Sequence, residues 1–182
     1  MKKLLIDTNN LCASILSPKG TANQLLKLGL QKVYEPVITE VVIAEFMNKC
    51  RVGMGKNNRF KYTEEEIDSF LESLYPMLSV ENIRKVSIGR GFMLDPRAYR
   101  MPLHEVLYEL TNRTRDDLLN TIWQKTRVMP SQVDLDDLHV MVGALETDSD
   151  AIITRNLKDF PNSLGRIQIM TPDAALAIFQ EE

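Results

Sequence analysis

Residues 2–11, KKLLIDTNNL, combine a short apolar run with an acid at its end, and the predicted fold is built outward from them. The apolar residues Leu4, Leu5 and Ile6 predict a short buried strand over residues 3–7, which ends abruptly on Asp7. An ionised carboxylate at the inner end of a core element is costly unless it has a partner. The rest of the chain is therefore expected to supply a partner for Asp7.

Strands and helices alternate at both ends of the sequence. We predict strands at residues 33–38, 151–154 and 167–170. We predict helices opening with a capping box at Thr21-Ala22-Asn23-Gln24, after an N-cap at Thr39, over residues 136–146, and from Pro172 after Thr171. Pro36 indicates an edge strand. Short, wholly apolar strands between helices predict an α/β fold with a central parallel sheet and helices on both faces.

Residues 55–130 have a different pattern, which predicts a mainly helical insertion. Thr63 to Glu66 form a capping box before a helix that ends near Leu74, and residues 103–110 and 118–123 carry apolar side chains at helical spacing. We expect residues 1–182 to form a single domain that contains this insertion.

Composition excludes several classes of protein. The 182 residues carry a net charge of -3 and two cysteines, too few for a disulfide framework or a zinc site. Asp7 interrupts the apolar run that a secretory signal needs, and no apolar run approaches the roughly 18 residues of a membrane span. We expect a cytoplasmic protein with no membrane association.

The positive charges cluster in two segments. Residues 46–63 contain five Lys and Arg residues and no acid, and residues 84–100 contain five against Asp95 alone. Such segments are either solvated surfaces or sites that grip phosphates. The candidate nucleic-acid contacts are Arg51, Lys56, Arg59, Lys61, Arg90 and Arg97.

Acids from four separate stretches are predicted to meet at one edge of the sheet, because ligands of open α/β sheets bind at the carboxyl ends of the strands. These acids are Asp7, Glu45, the pair Asp136 and Asp137, and Asp159. Clustered carboxylates repel one another, and a hard divalent cation such as Mg²⁺ or Mn²⁺ relieves that repulsion. Each acid taken singly also has an ordinary explanation as a helix cap, a turn residue or a solvated side chain.

Three segments in series resemble the PIN domain, most closely its bacterial VapC-like toxin branch. They are DTNNLCASILSPKGTANQLLKLG, VITEVVIAEFMNKC and DLDDLHVMVGALETDSDAIITRNLKDFP. The resemblance covers about half of the chain. It implies a Rossmann-like α/β/α PIN fold and an Mg²⁺- or Mn²⁺-dependent endoribonuclease, the toxin of a toxin-antitoxin pair, with a protein antitoxin and a homodimer as expected partners.

The resemblance also assigns roles to individual residues. It implies catalytic and metal-binding roles for Asp7, Glu45, Asp137 and Asp159, with Asp136 able to exchange with Asp137. Thr8, Asn9, Thr154 and Asn156 would support them. Asn10 replaces a residue that is usually apolar in this family, which predicts looser local packing. Asn156 stands where some members carry an acid.

Rival interpretations differ in what they require after the first strand. A haloacid-dehalogenase-like phosphatase needs a second Asp two residues after the first, where this chain has Asn9, and the paired acids of a receiver domain are not evident. A non-catalytic PIN-like RNA-binding or regulatory module stays open because of Asn156. His104 and His139 are expected to be incidental to catalysis.

Overall fold

The computed structural model describes residues 1–77 and 101–180, and its centre is a four-stranded parallel sheet in the order β2-β1-β3-β4. The strands are β1 (Lys3–Ile6), β2 (Glu35–Val37), β3 (Ala151–Ile153) and β4 (Gln168–Met170). Leu5 of β1 lies opposite Val37 on one side and Ile152 on the other. The predicted parallel sheet is confirmed, with each strand slightly shorter than expected.

Pro36 lies on β2, which is an edge strand as predicted. Proline has no N–H to donate, so it is tolerated where only one side of a strand is paired. Its neighbour in the register is Leu4 of β1. The edge position therefore explains how a proline fits in a buried three-residue strand.

Eight α-helices occupy the described part of the chain. They are α1 (Thr8–Leu16), α2 (Thr21–Leu30), α3 (Glu40–Val52), α4 (Glu64–Leu74), α5 (Leu103–Thr111), α6 (Arg115–Thr126), α7 (Leu138–Glu146) and α8 (Pro172–Gln180). The predicted caps at Thr39 and Thr63 are present, the latter as a complete capping box. None of these helices combines the length and apolar character needed to cross a membrane.

At the start of the chain one helix was missed and one predicted cap was wrong. Helix α1 was not anticipated, and the capping box at Thr21 does not form, because Gly20 is the N-cap of α2. The Thr21 hydroxyl donates instead to Asp173 in α8, and the Gln24 amide donates to the carbonyl of Lys19. Both side chains thus form contacts other than the capping box that the sequence pattern predicted.

The helices form two packed groups. One contains α1, α2 and α8, and the other contains α3 to α7; α1 also contacts α3. The chain crosses the sheet in one direction from β1 to β2 and in the opposite direction from β2 to β3. Because such crossovers are almost always right-handed, this reversal places the two groups on opposite faces.

The helical insertion shares its core with the sheet. Within its described parts, residues 55–77 and 101–130, the buried apolar side chains of α4, α5 and α6 belong to the same cluster as those of β1 and β3. The Phe46 ring of α3 lies 5.1 Å from the Phe70 ring of α4. Arg90 and Arg97 lie outside the described residues.

We expect Phe46→Ala to lower the free energy of unfolding by about 3–5 kcal/mol, because it opens a cavity where α3 meets α4. Phe46 is fully buried, whereas Phe60 is 44% exposed, so Phe60→Ala is the matched control. Urea unfolding of both variants measures the difference. Equal losses would contradict the shared core.

Candidate functional site

The site lies where the direction of the chain across the sheet changes. Strands β1 and β3 are neighbours in the sheet. From β1 the chain continues to β2 at one edge of the sheet, and from β3 it continues to β4 at the other edge. In open α/β sheets this crevice, outside the carboxyl ends of the strands, is the usual place for a ligand. Asp7 and Thr154, which directly follow β1 and β3, both lie there.

Asp7 is held by a buried network of side chains. Its Oδ2 accepts hydrogen bonds from Thr154 Oγ1 at 2.7 Å and from Asn9 Nδ2 at 2.5 Å. Asn9 Oδ1 in turn accepts the backbone N–H of Arg155 at 3.0 Å. Asp7 is the N-cap residue of α1, yet its side chain makes no cap hydrogen bond. Its ordinary explanation as a helix cap therefore fails, and it faces β3 instead.

Thr8 and Asn10 attach the start of α1 to its surroundings. Thr8 Oγ1 donates to the carbonyl of Val42 in α3 at 3.5 Å. Asn10 is buried, and its Nδ2 donates to the carbonyl of Ile153 at 2.6 Å. The expected loosening at Asn10 is therefore wrong, because its amide ties α1 to the end of β3.

Glu45 is largely buried between Lys49 and His139. Its Oε1 lies 2.7 Å from Lys49 Nζ, one helical turn further along α3. Its Oε2 lies 3.3 Å from Nε2 of His139, whose imidazole is buried. The imidazole N–H is misaligned for a hydrogen bond, so this contact is electrostatic. Burial opposes ionisation of Glu45, but His139 and Lys49 outweigh it and lower the carboxyl pKa to about 2.

Three further carboxylates lie close to one another in the same region. Asp134, Asp137 and Asp159 each offer an oxygen, and these oxygens lie within 4.8 Å of one another. Asp137 occupies the N-cap of α7 but makes no cap hydrogen bond. Asp159 is oriented by the Asn156 amide, which donates to its Oδ2. Asp7 and Glu45 are not members of this group.

Burial and repulsion disturb the ionisation of the acids. Burial raises the pKa of Asp137 to about 7, with Asp7 adding to the rise and His139 opposing it. Burial also raises the pKa of Asp7, although the Thr154 hydrogen bond opposes the change. For His139, burial lowers the pKa, but the neighbouring Glu45, Asp7 and Asp137 carboxylates outweigh it, so its pKa is raised. Since Asp137 responds to Asp7 and Glu45, all three share one electrostatic environment.

The structure distinguishes between the candidates that the sequence left equivalent. Asp136 is exposed and lies outside the close group, although its backbone N–H donates to Asp134. Arg51 forms a bidentate ion pair with Glu64, with Nε 2.5 Å from Oε1. Lys56, Arg59 and Lys61 are exposed on the segment after α3.

Sequence reasoning missed Asp134, Lys49 and the position of His139. Lys49 lies four residues after Glu45, a spacing that pairs opposite charges on a helix. His139 is the one polar side chain in the otherwise apolar stretch from Leu138 to Leu145. Asp134 precedes Asp137 by three residues. The spacing of Lys49 and the composition around His139 were signals that could have identified both residues.

No family model, curated protein or solved structure matches the chain.

The pKa of Asp137 predicts a pH dependence of stability. The carboxyl pKa rises from 3.8 to about 7 on folding, so the folded protein binds the extra proton between these values and loses stability as pH rises through them. We expect Asp137→Asn to match the wild type near pH ~4 and to exceed it by about 1–2 kcal/mol near pH ~8, allowing for partial exposure.

Urea unfolding in the presence of a chelator tests this expectation. Asp136→Asn is the matched control, because it removes the same charge from the exposed neighbour and should follow the wild-type profile. A constant offset between Asp137→Asn and the wild type at every pH would contradict the shifted pKa.

Proposed function

We propose that the protein is a metal-dependent endoribonuclease of the PIN-like type, and that it acts as the toxin of a toxin-antitoxin pair. The observation that carries the proposal is the close group of Asp134, Asp137 and Asp159, together with the charges of Asp7 and Glu45 that act on Asp137. They come from the segments after β1, within α3, before α7 and after β3. A cluster of this kind favours a divalent cation over any other small ligand.

The donor set fits Mg²⁺ or Mn²⁺. Asp134, Asp137 and Asp159 offer hard carboxylate oxygens close together, and no cysteine belongs to the group. Burial and the neighbouring Asp7 carboxylate raise the pKa of Asp137, and a bound cation would favour its ionised form. When bound, such a cation supplies Lewis acidity and lowers the pKa of a water for attack on a phosphodiester.

The surrounding residues position the cluster. Asp7 is fixed by Thr154 and Asn9, and it raises the pKa of Asp137 through charge. Glu45 stays ionised because Lys49 and His139 flank it. Asp7 and Glu45 thereby maintain a negative field beside the close group. Metal ligands generally need hydrogen-bonded support of this kind to hold their orientation.

Positive charge on the surface supports RNA as the substrate. Exposed Lys56, Arg59 and Lys61 follow α3 and are suited to contact phosphates on a strand that reaches the acids. An antitoxin would be expected to cover the same edge of the sheet and to approach the acids with a cation. We also propose that the protein forms a homodimer.

The test is cleavage of single-stranded RNA by the purified protein with Mg²⁺, Mn²⁺ or chelator. We expect cleavage only with metal, leaving 5′-phosphate ends, and a loss of at least ~100-fold in Asp137→Asn and in Asp7→Asn. Asp136→Asn is the matched control and should retain activity. Equal cleavage by the wild type and both site variants would remove the proposal and indicate a contaminating nuclease.

Metal binding can be measured apart from activity. We expect a saturating excess of Mn²⁺, about 100 times its dissociation constant, to stabilise the wild type by about 2–3 kcal/mol in urea unfolding. Asp137→Asn should lose most of this stabilisation, whereas Asp136→Asn should keep it. Metal-independent stability of the wild type would contradict a cation site at this edge.

A further inference from the structure

A groove opens beside Asn9 and Lys49, the residues that contact Asp7 and Glu45. Its volume is about 740 Å³, within the range of roughly 300–1,000 Å³ for ligand pockets. It is bounded by α1, the start of α2, and the end of α3 with its following loop. It can therefore accommodate a group the size of a nucleotide.

The groove is continuous with the acidic site through shared residues. Asn9, which holds Asp7, lines it, and so does Lys49, which pairs with Glu45. Arg155, whose backbone N–H binds Asn9, is the third such residue. A ligand in the groove thus lies against the residues that contact Asp7 and Glu45.

The charges at the groove suit a phosphate. Lys49 and Arg155 are the two cations that line it, and no acid does. The Arg155 side chain is exposed and forms no ion pair within residues 1–77 and 101–180. An arginine fork matches the oxygens of a phosphate better than other side chains do.

The remaining walls suit a base. Leu16 and Cys12 form apolar surface on α1, and burial raises the pKa of the Cys12 thiol to about 12, so the thiol stays neutral. Gly55 leaves its wall as bare backbone, and a Cβ there would come within 3.1 Å of the Phe60 ring. Phe60 follows this wall in the loop without lining the groove, and it is exposed, with the Arg59 guanidinium 5.5 Å from its ring centroid. Exposed aromatic and arginine surfaces stack on unpaired bases.

We propose that this groove binds a nucleotide of single-stranded RNA next to the cleaved bond, with Arg155 and Lys49 on a phosphate and the base against Leu16. The inference rests on the proposed function for its choice of RNA. A duplex is disfavoured because its bases are stacked and cannot enter a groove of this size.

The experiment measures binding in chelator, so that it does not depend on cleavage. A labelled single-stranded oligoribonucleotide is titrated against the wild type, Arg155→Gln and Arg166→Gln, with fluorescence anisotropy as the readout. We expect Arg155→Gln to bind about tenfold more weakly, with a salt slope reduced by about 1. Arg166→Gln removes the same charge just before β4, at the amino ends of the parallel strands and away from the groove, and should bind like the wild type.

A second readout locates the strand. We expect a photoreactive uridine oligonucleotide to crosslink to peptides covering residues 9–22 or 49–55, mapped by mass spectrometry, and an excess of duplex RNA of the same sequence to compete poorly. Equal binding by the two arginine variants, or crosslinks confined to other peptides, would overturn the proposal and leave the groove to a protein partner.

The two proposals fail differently. If Arg155→Gln weakens binding while the wild type cleaves no RNA with any metal, the groove stands and the nuclease falls. If cleavage is metal-dependent and Arg155→Gln binds RNA like the wild type, the nuclease stands and the groove falls.

Discussion

Repulsion between carboxylates at one end of a parallel sheet is the constraint on which the site depends. The protein balances part of this charge internally and leaves part unbalanced. Glu45 has Lys49 and His139, and Asp7 has two donors in Thr154 and Asn9. The carboxylate of Asp137 has no hydrogen-bond partner among the described residues, and its pKa rises to about 7. Asp137 is thus a partly buried carboxylate without a hydrogen-bonded partner, and an added cation within the close group of three acids would favour its ionised form.

Local patterns predicted most of the fold because most of its elements are locally specified. The apolar run of β1 and the caps at Thr39 and Thr63 act within a few residues, so the sequence carries their full signal. Helix α1 lacks such a signal, because TNNLCASIL is rich in residues with modest helix propensity. The Asn10 amide fixes α1 through the carbonyl of Ile153, a partner 143 residues away. No window of the sequence contains both ends of that bond.

The difference between local and long-range contacts also explains which parts of the site were predictable. That acids follow β1 and precede α7 is visible in the sequence, and their convergence follows from the parallel sheet. Which acids approach most closely depends on side-chain directions at the ends of α7 and β3, so the membership of Asp134 and the exclusion of Asp136 were not predictable. The sequence indicated no partner for His139, which is buried against Glu45. Its importance comes from packing between α3 and α7, which a linear pattern does not encode.

Asn156 bears on whether this site is suited to catalysis or only to binding. An acid at this position would add a further negative charge to a cluster in which Asp137 already resists ionisation. The amide instead donates to Asp159, and its backbone N–H binds Thr154, which also holds Asp7. One residue thereby supports acids on both sides of the crevice without adding charge. The feature that left a non-catalytic module open is therefore also compatible with the proposed cation site, since a donor at this point orients Asp159, which an acid would repel.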